Sequence, residues 1–313
     1  MTSLARFGAR WRSELFGVPP AVAGRLREPG PRGPTEKAVL RRQDGLEYEC
    51  VRIPMGRGRE TICISSQVGC AMACRFCETG RMGRLADLSA AEIAGQVELA
   101  RTDLGWAPTQ VVFMGMGEPL DNVAGVCGAL RLLTDTRGLG FAHHKLTVCT
   151  VGRVDGLVAL AALGMKRLNL SVSLNAATDE LRSRLMPVNK RTPLAELQAA
   201  LVAWRPRRNA LLGVNWCLMP GINDTPADAA GIAAFCAPLG RCMVYVIPYN
   251  PGSKPLTRAP SEPEVQTFVG WLRALGVAVR RRVTKGRDVM AACGQLGNPA
   301  LRRPRADAAG ASA

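Results

Sequence analysis

Cys70, Cys74 and Cys77 stand at intervals of four and three residues in the run Gly69-Cys70-Ala71-Met72-Ala73-Cys74-Arg75-Phe76-Cys77. Three thiolates on one tight loop can each bind a different iron of a cubane [4Fe–4S] cluster, for which cysteine is the usual ligand. The fourth iron then stays open and can chelate a small molecule. The alternatives are zinc and disulfides. Structural zinc takes four ligands, usually as two separated pairs, and no second Cys/His pair at that spacing occurs in the chain.

Other runs carry chemistry less plainly. Gly115-Met116-Gly117-Glu118 offers a flexible backbone and one carboxylate, with Gly117 permitting close approach to a ligand and Glu118 able to accept from an ammonium. A Gly-rich turn ending in a surface Glu is the plain alternative. Ser173 and Asn175 alternate with apolar residues and could bond a ribose, or could cap the helix that begins near Asp179. Two cysteines stand apart. Cys63 lies just before the cysteine loop. Cys293 follows Lys285-Gly286-Arg287-Asp288, so a mobile, electropositive loop is expected around it, which favours thiolate. An isolated Cys is more often a small buried hydrophobe, and that reading suits Cys127, Cys217, Cys236 and Cys242. The only histidines, His143 and His144, fall in a polar stretch and read as solvated. His-driven acid–base chemistry is not indicated.

The elements that must position these residues follow a βα rhythm. Short β-rich runs at 61–65, 111–114, 146–150, 168–174, 213–218, 243–247 and 277–283 alternate with helical stretches, the pattern of a parallel sheet. Ser89 with Glu92 and Ser261 with Glu264 predict capping boxes, and Thr192-Pro193 and Thr225-Pro226 predict N-caps followed by first-turn prolines. Six strand–helix units and a closing segment predict an α/β fold, a partial (βα)6 TIM-like barrel. The cysteine loop and the Glu118, Asn175 and Asn250 segments each follow a strand, and barrel active sites gather at the strands' carboxyl ends.

The expected layout is a flexible basic arm over 1–36 with at most one short helix, and a small β extension over 37–55. The extension reads as a hairpin turning at Asp44-Gly45. The core domain follows over 56–286, then a C-terminal loop over 287–301 and a disordered tail over 302–313. With 313 residues, 47% of them hydrophobic, the chain can bury a sizeable core. Its eleven cysteines are an odd number and no apolar signal segment precedes them, so a reducing, cytoplasmic setting is expected. No apolar run approaches the ~20 residues a membrane span needs. The formal net charge is +16, with basic clusters at Arg41-Arg42, Arg205 to Arg208, Arg280-Arg281-Arg282 and Arg302 to Arg305. That charge suits a polyanion such as nucleic acid, or an Arg-rich solvated surface.

The cysteine spacing resembles the radical S-adenosylmethionine (SAM) superfamily. Within it, five runs resemble the RNA adenine methyltransferases of the RlmN/Cfr type: Ser65 to Cys70, Phe113 to Leu120, Leu185 to Lys190, Ile247 to Pro251, and Ala291-Ala292-Cys293-Gly294-Gln295-Leu296. The resemblance extends from about Lys37 to Leu296. It implies that Cys70, Cys74 and Cys77 hold a [4Fe–4S] cluster, and that Gly117, Glu118, Cys149, Ser173, Leu174, Asn175 and Asn250 line the SAM site. It also implies two SAM per turnover. One methylates Cys293; the second yields a radical that takes hydrogen from the S-methyl group, and the resulting methylene adds to an adenine ring carbon. Cys63 then removes the ring proton, and a Cys63–Cys293 disulfide releases the RNA. Glu49 falls where the family carries a Glu with a proton-accepting or substrate-contacting role, although a surface-strand Glu is the plain alternative.

The implied substrate is structured RNA, namely 23S ribosomal RNA and tRNA, methylated at adenine C2 with C8 as the nearest variant. Flavodoxin or ferredoxin is the implied electron donor. The chain departs from the pattern where Cys149 replaces a SAM-contacting Ser, Asn175 replaces His and Arg287 replaces an acidic residue. Only 36 residues precede the matching region, so the family's N-terminal accessory domain is expected to be mostly missing. Two other classes stay open. A radical SAM activase or sulfur-handling enzyme with a non-RNA substrate would not need Cys293, and a cluster- or zinc-bearing RNA-binding protein would not cleave SAM.

Overall fold

A computed structural model describes residues 20–204 and 211–298. The strands are β1 (Ala21–Glu28), β2 (Thr35–Arg41), β3 (Glu47–Gly56), β4 (Arg59–Cys63), β5 (Gln67–Cys70), β6 (Gly83–Asp87), β7 (Gln110–Phe113), β8 (Leu146–Thr150), β9 (Asn169–Ser173), β10 (Leu212–Leu218), β11 (Cys242–Pro248) and β12 (Val279–Arg281). The helices are α1 (Glu78–Met82), α2 (Ala90–Thr102), α3 (Val123–Thr134), α4 (Val154–Ala162), α5 (Asp179–Leu185), α6 (Leu194–Ala203), α7 (Pro226–Cys236) and α8 (Glu262–Ala274).

Ten strands form one open sheet in the order β1-β2-β3-β4-β7-β8-β9-β10-β11-β12. Pairing is antiparallel from β1 to β4 and parallel from β4 onward, so β4, β7, β8, β9, β10 and β11 are the six strands of a partial barrel and β12 its closing edge. The capping boxes at Ser89/Glu92 and Ser261/Glu264 form, and Thr225 caps α7 with Pro226 in its first turn. At α6 the cap is Pro193 and not Thr192.

The N-terminal reading needs one correction. Residues 21–28, assigned to a flexible arm, form β1, which pairs along its length with β2 through a bulge near Gly24. The extension is therefore a three-stranded meander continuous with the barrel sheet. Isolated, AVAGRLRE lacks clean alternation; its partner supplies the backbone bonds that hold it. Residues 1–19, Arg205 to Arg208 and residues 299–313, with the tail and the Arg302 to Arg305 cluster, lie outside the described residues.

Each barrel strand has a buried and a half-open parity. Val148, Leu170, Val172, Val214, Trp216, Val244 and Val246 are buried, and Trp216 stacks on Phe268 of α8 with centroids 6.1 Å apart, so this parity faces the helices. The opposite parity faces the lumen. There Cys149 lies beside Ser171, Ser173 beside Asn215, and Asn215 beside Tyr245. Barrel interiors are usually filled by bulky branched side chains; here small and polar ones line the lumen, which leaves room for a ligand. No described helix is long and apolar enough to cross a membrane.

Candidate active site

The cysteine loop crosses the carboxyl end of β4, bracketed by the two-stranded β5–β6 ladder that the sequence reading did not anticipate. Cys70 ends β5, Cys77 precedes α1, and the Cys77 N–H donates to the Cys74 carbonyl at 3.2 Å. Cys70 and Cys74 are buried and Cys77 half-buried, in an apolar pocket with Met72, Ala176, Leu185, Met186 and Tyr249. Burial pushes all three thiols above their ordinary pKa, and mutual repulsion of their charges adds to it for Cys70 and Cys74. Three thiolates in so dry a pocket need cationic metal to exist together. Among the described residues no three His, Cys, Asp or Glu side chains converge on one ion. The donor set suits a cubane, which takes each thiolate on a different iron.

One cation supports the loop from below. Arg182 of α5 is fully buried and donates to the carbonyls of Leu174 (3.1 Å), Val151 (2.7 Å) and Ser173 (3.2 Å) and to Asn189 Oδ1 (2.9 Å). Burial lowers its pKa to about 10, so it stays cationic at neutral pH, and its charge acts on Cys74. It ties the ends of β8 and β9 to the pocket floor. In sequence it reads as one of many helix-surface arginines.

The family-implied SAM residues divide by what they touch. Gly117 has φ +97°, and a Cβ there would lie 2.6 Å from the Cβ of Gln67, so only glycine brings this turn against the cysteine loop. Glu118 is buried. Its Oε1 accepts from Leu120 N (3.0 Å) and Thr150 Oγ1 (2.6 Å), and its Oε2 from Val151 N (2.9 Å). A carboxylate has about four acceptor positions, so one remains for a ligand. Burial raises its pKa from 4.5 to about 7.

A pH prediction follows from that shift. A carboxyl whose folded pKa lies above its unfolded value adds stability below the unfolded pKa and loses it as pH rises through the folded one. In the cofactor-free protein, Glu118→Gln should therefore gain stability relative to wild type between about pH 5 and about pH 8. Urea denaturation of both proteins at each pH measures this, and a constant difference would refute a titrating Glu118.

Cys149 contacts Ser173 Oγ at 3.7 Å and accepts from Asn215 Nδ2 at 3.1 Å, while burial raises its pKa to about 11. Leu174 is core: its side chain is fully buried among apolar neighbours and its N–H donates to the Asn215 carbonyl. Asn175 takes a left-handed φ of +59°. Its Oδ1 accepts from Cys217 N at 2.8 Å, so this side chain shapes the β9–β10 rim.

Asn250 has a different task. Its Nδ2 donates to the Cys293 carbonyl at 3.2 Å, and its Oδ1 accepts from Arg287 Nε and Nη2 at 3.2 and 3.0 Å. Arg287, which departs from the family's acidic residue, thus helps to set the Cys293 loop.

That loop lies across the barrel mouth. The Thr79 hydroxyl donates to the Leu296 carbonyl and the Glu78 N–H to the Gly294 carbonyl, while Lys37 Nζ donates to the Met290 carbonyl at 3.1 Å. Glu49 is not a surface-strand Glu. It is buried, its Oε1 pairs with Lys37 Nζ at 3.1 Å and its Oε2 accepts from Gly297 N at 3.0 Å. Its Oε2 thus binds the strand extension to the Cys293 loop directly, and its Oε1 holds Lys37, which itself reaches the loop at Met290. Cys293 itself is exposed, whereas Cys63, at the end of β4, is buried. Burial raises the Cys63 pKa, the Cys293 charge adds to that, and Arg282 opposes both. The two thiols therefore lie within electrostatic reach of each other. No disulfide joins any of the eleven cysteines.

The sequence model of the Radical SAM superfamily matches residues 64–230, which spans the cysteine loop and most of the barrel. A probable dual-specificity RNA methyltransferase RlmN 1 from Protochlamydia amoebophila is 41% identical over 273 residues, covering 87% of this chain and 76% of the relative. The chain belongs to the RlmN family of radical SAM methyltransferases. A probable RNA methyltransferase from Sorangium cellulosum is 45% identical over 311 residues, covering 96% of this chain and 77% of that one. The crystal structure of a radical SAM methyltransferase from Sphaerobacter thermophilus aligns with a TM-score of 0.84 at 35% identity, over 95% of this chain and 86% of that one. As a family member this enzyme uses a [4Fe–4S] cluster and SAM; Cys70, Cys74 and Cys77 are the thiols whose donor set would fit the cluster.

Three features of this RlmN family member escaped the sequence reading. Arg182 and Glu78 are buried ions; Glu78 pairs with Arg81 and also accepts from the sequence-distant Ser253 N (3.0 Å) and Ser253 Oγ (2.7 Å). Asn215 is polar at lumen parity within an otherwise apolar strand, a signal that parity alone could have exposed.

Proposed function

We propose that this enzyme methylates C2 of an adenine in 23S ribosomal RNA and in tRNA through an S-methylcysteine at Cys293, with C8 as the nearest variant. The observation that carries this reading is the pair of thiols at the mouth. Cys293 is exposed where a large substrate can meet it, and Cys63 is buried at the end of β4, close enough for the Cys293 charge to act on it. Cluster and SAM, when bound, supply the methyl group and the hydrogen-abstracting radical, with flavodoxin or ferredoxin as electron donor. Cys293 receives the methyl group and carries the carbon to the adenine. Cys63 takes the ring proton and closes a disulfide with Cys293 that frees the product. Glu49, Asn250 and Arg287 hold the loop that carries this exposed sulfur. The dual-specificity names of the relatives support the choice of RNA.

Reconstituted enzyme incubated with SAM, a reductant and 23S ribosomal RNA should yield 2-methyladenosine in digested RNA by mass spectrometry. 8-Methyladenosine would move the assignment to C8, and unmethylated RNA would refute the reading.

The charge bears on binding. Arg41 pairs with Glu47, Arg42 with Asp44 and Glu92, and Arg281 with Glu262, while Arg282 stacks on Tyr245 at 4.9 Å; these clusters do not form a free stripe. Exposed Arg75 instead follows β5, Lys254 follows β11, and Lys190 and Arg191 follow α5. If these four neutralise phosphates, a plot of log affinity against log salt should fall with a slope of about −3 or steeper. A flat plot from filter binding would count against an RNA substrate.

A further inference from the structure

Two buried polar atoms in the lumen have no hydrogen-bond partner, Asn215 Oδ1 and Ser171 Oγ, in residues only 4% and 2% exposed. Asn215 spends its Nδ2 on the Cys149 sulfur at 3.1 Å, a weak acceptor. Its carbonyl end is buried and unpaired, which is unfavourable. Turning the amide over exchanges its two ends and still leaves one without a partner. The surrounding wall is kept thin: Gly213, two residues earlier on β10, would place a Cβ 2.5 Å from Ser171 Oγ and 3.3 Å from Tyr245.

The position within the site identifies the ligand. The Gly117 turn packs against the cysteine loop, Glu118 bonds Thr150 and Val151 directly after Cys149, and Asn215 touches Cys149 and stands beside Ser173 in the β9–β10 register. A ligand held by its amino-acid head at the loop meets Asn215 with its nucleoside end, the end that carries hydroxyl donors.

We propose that Asn215 is a recognition residue for the adenosyl part of SAM, its carboxamide oxygen accepting a hydrogen bond from a ribose hydroxyl. This rests on the superfamily's use of SAM and not on the RNA reading above. Cys149 orients the amide by taking its N–H, and Ser171 and Ser173 supply the polar surroundings. The cost of the unpaired oxygen is released when a donor arrives, so the lumen is preset for a hydroxylated ligand.

The test combines affinity with stability. Anaerobically reconstituted wild type, Asn215→Leu and Asn215→Asp are titrated with S-adenosylhomocysteine by equilibrium dialysis, and the cofactor-free proteins are melted. The leucine variant should bind about tenfold more weakly or worse, the worth of one hydrogen bond. Its Tm should be unchanged or higher, because an apolar group of similar shape removes the buried unpaired oxygen. The aspartate variant keeps the acceptor and should bind within about threefold of wild type. Should the leucine variant not fold, Asn215→Ala takes its place under the same criteria. Wild-type affinity in the leucine variant, or a lower Tm with affinity intact, overturns the proposal. So does an aspartate variant that loses affinity as far as leucine.

Discussion

Replacing Cys63 by Ala should accumulate a covalent protein–RNA adduct through Cys293, visible as a species of RNA-shifted mobility that survives denaturation but not nuclease. The reasoning is chemical. Once a methylene bridges the Cys293 sulfur and the adenine carbon, the ring proton must leave and the carbon–sulfur bond must then be cut by a thiol. Cys63 is the buried thiol at the end of β4, its pKa raised first by burial and then by the nearby Cys293. Without it neither step has its group, and turnover should fall by at least about a hundredfold, the typical worth of a positioned base. Replacing Cys293 as well should eliminate the adduct while SAM cleavage persists. Normal turnover in the Cys63 variant, or an adduct that survives loss of Cys293, would refute the two-cysteine mechanism.

The second large effect concerns the metal. Cys74→Ala should reduce reconstituted iron from about four per chain to less than one and abolish SAM cleavage, because each loop thiol ligates a different iron. Folding should survive. The site of Cys74 lies in the small pocket with Met72, Leu185 and Met186, separate from the main barrel core, and losing one sulfur there removes little apolar area. Iron analysis, visible absorbance and far-ultraviolet circular dichroism separate cluster loss from unfolding. A variant that keeps four irons and cleaves SAM would overturn the assignment of the loop as ligand.

The sequence alone determined whatever depends on neighbours a few residues apart. The Cys70, Cys74 and Cys77 spacing, the capping boxes at Ser89 and Ser261, and the strand cores at 111–114 and 146–150 are of this kind, because turns, caps and β-rich runs are written locally. Strand ends were legible to within a few residues, and so were the segments that follow them to the rim.

Tertiary structure decided the rest, since each case depends on register between distant strands. β1 is a strand because β2 supplies its backbone partners. Glu49 looks like a surface residue until Lys37 and Gly297 meet its two oxygens. Arg182 carries no local signal and Asn215 only its parity: one finds its acceptors in the carbonyls that end β8 and β9, the other is placed against Cys149 only when β8, β9 and β10 stand side by side. A buried polar group is defined by what the whole fold excludes from it, and that exclusion of water exists only once the barrel has closed around its lumen.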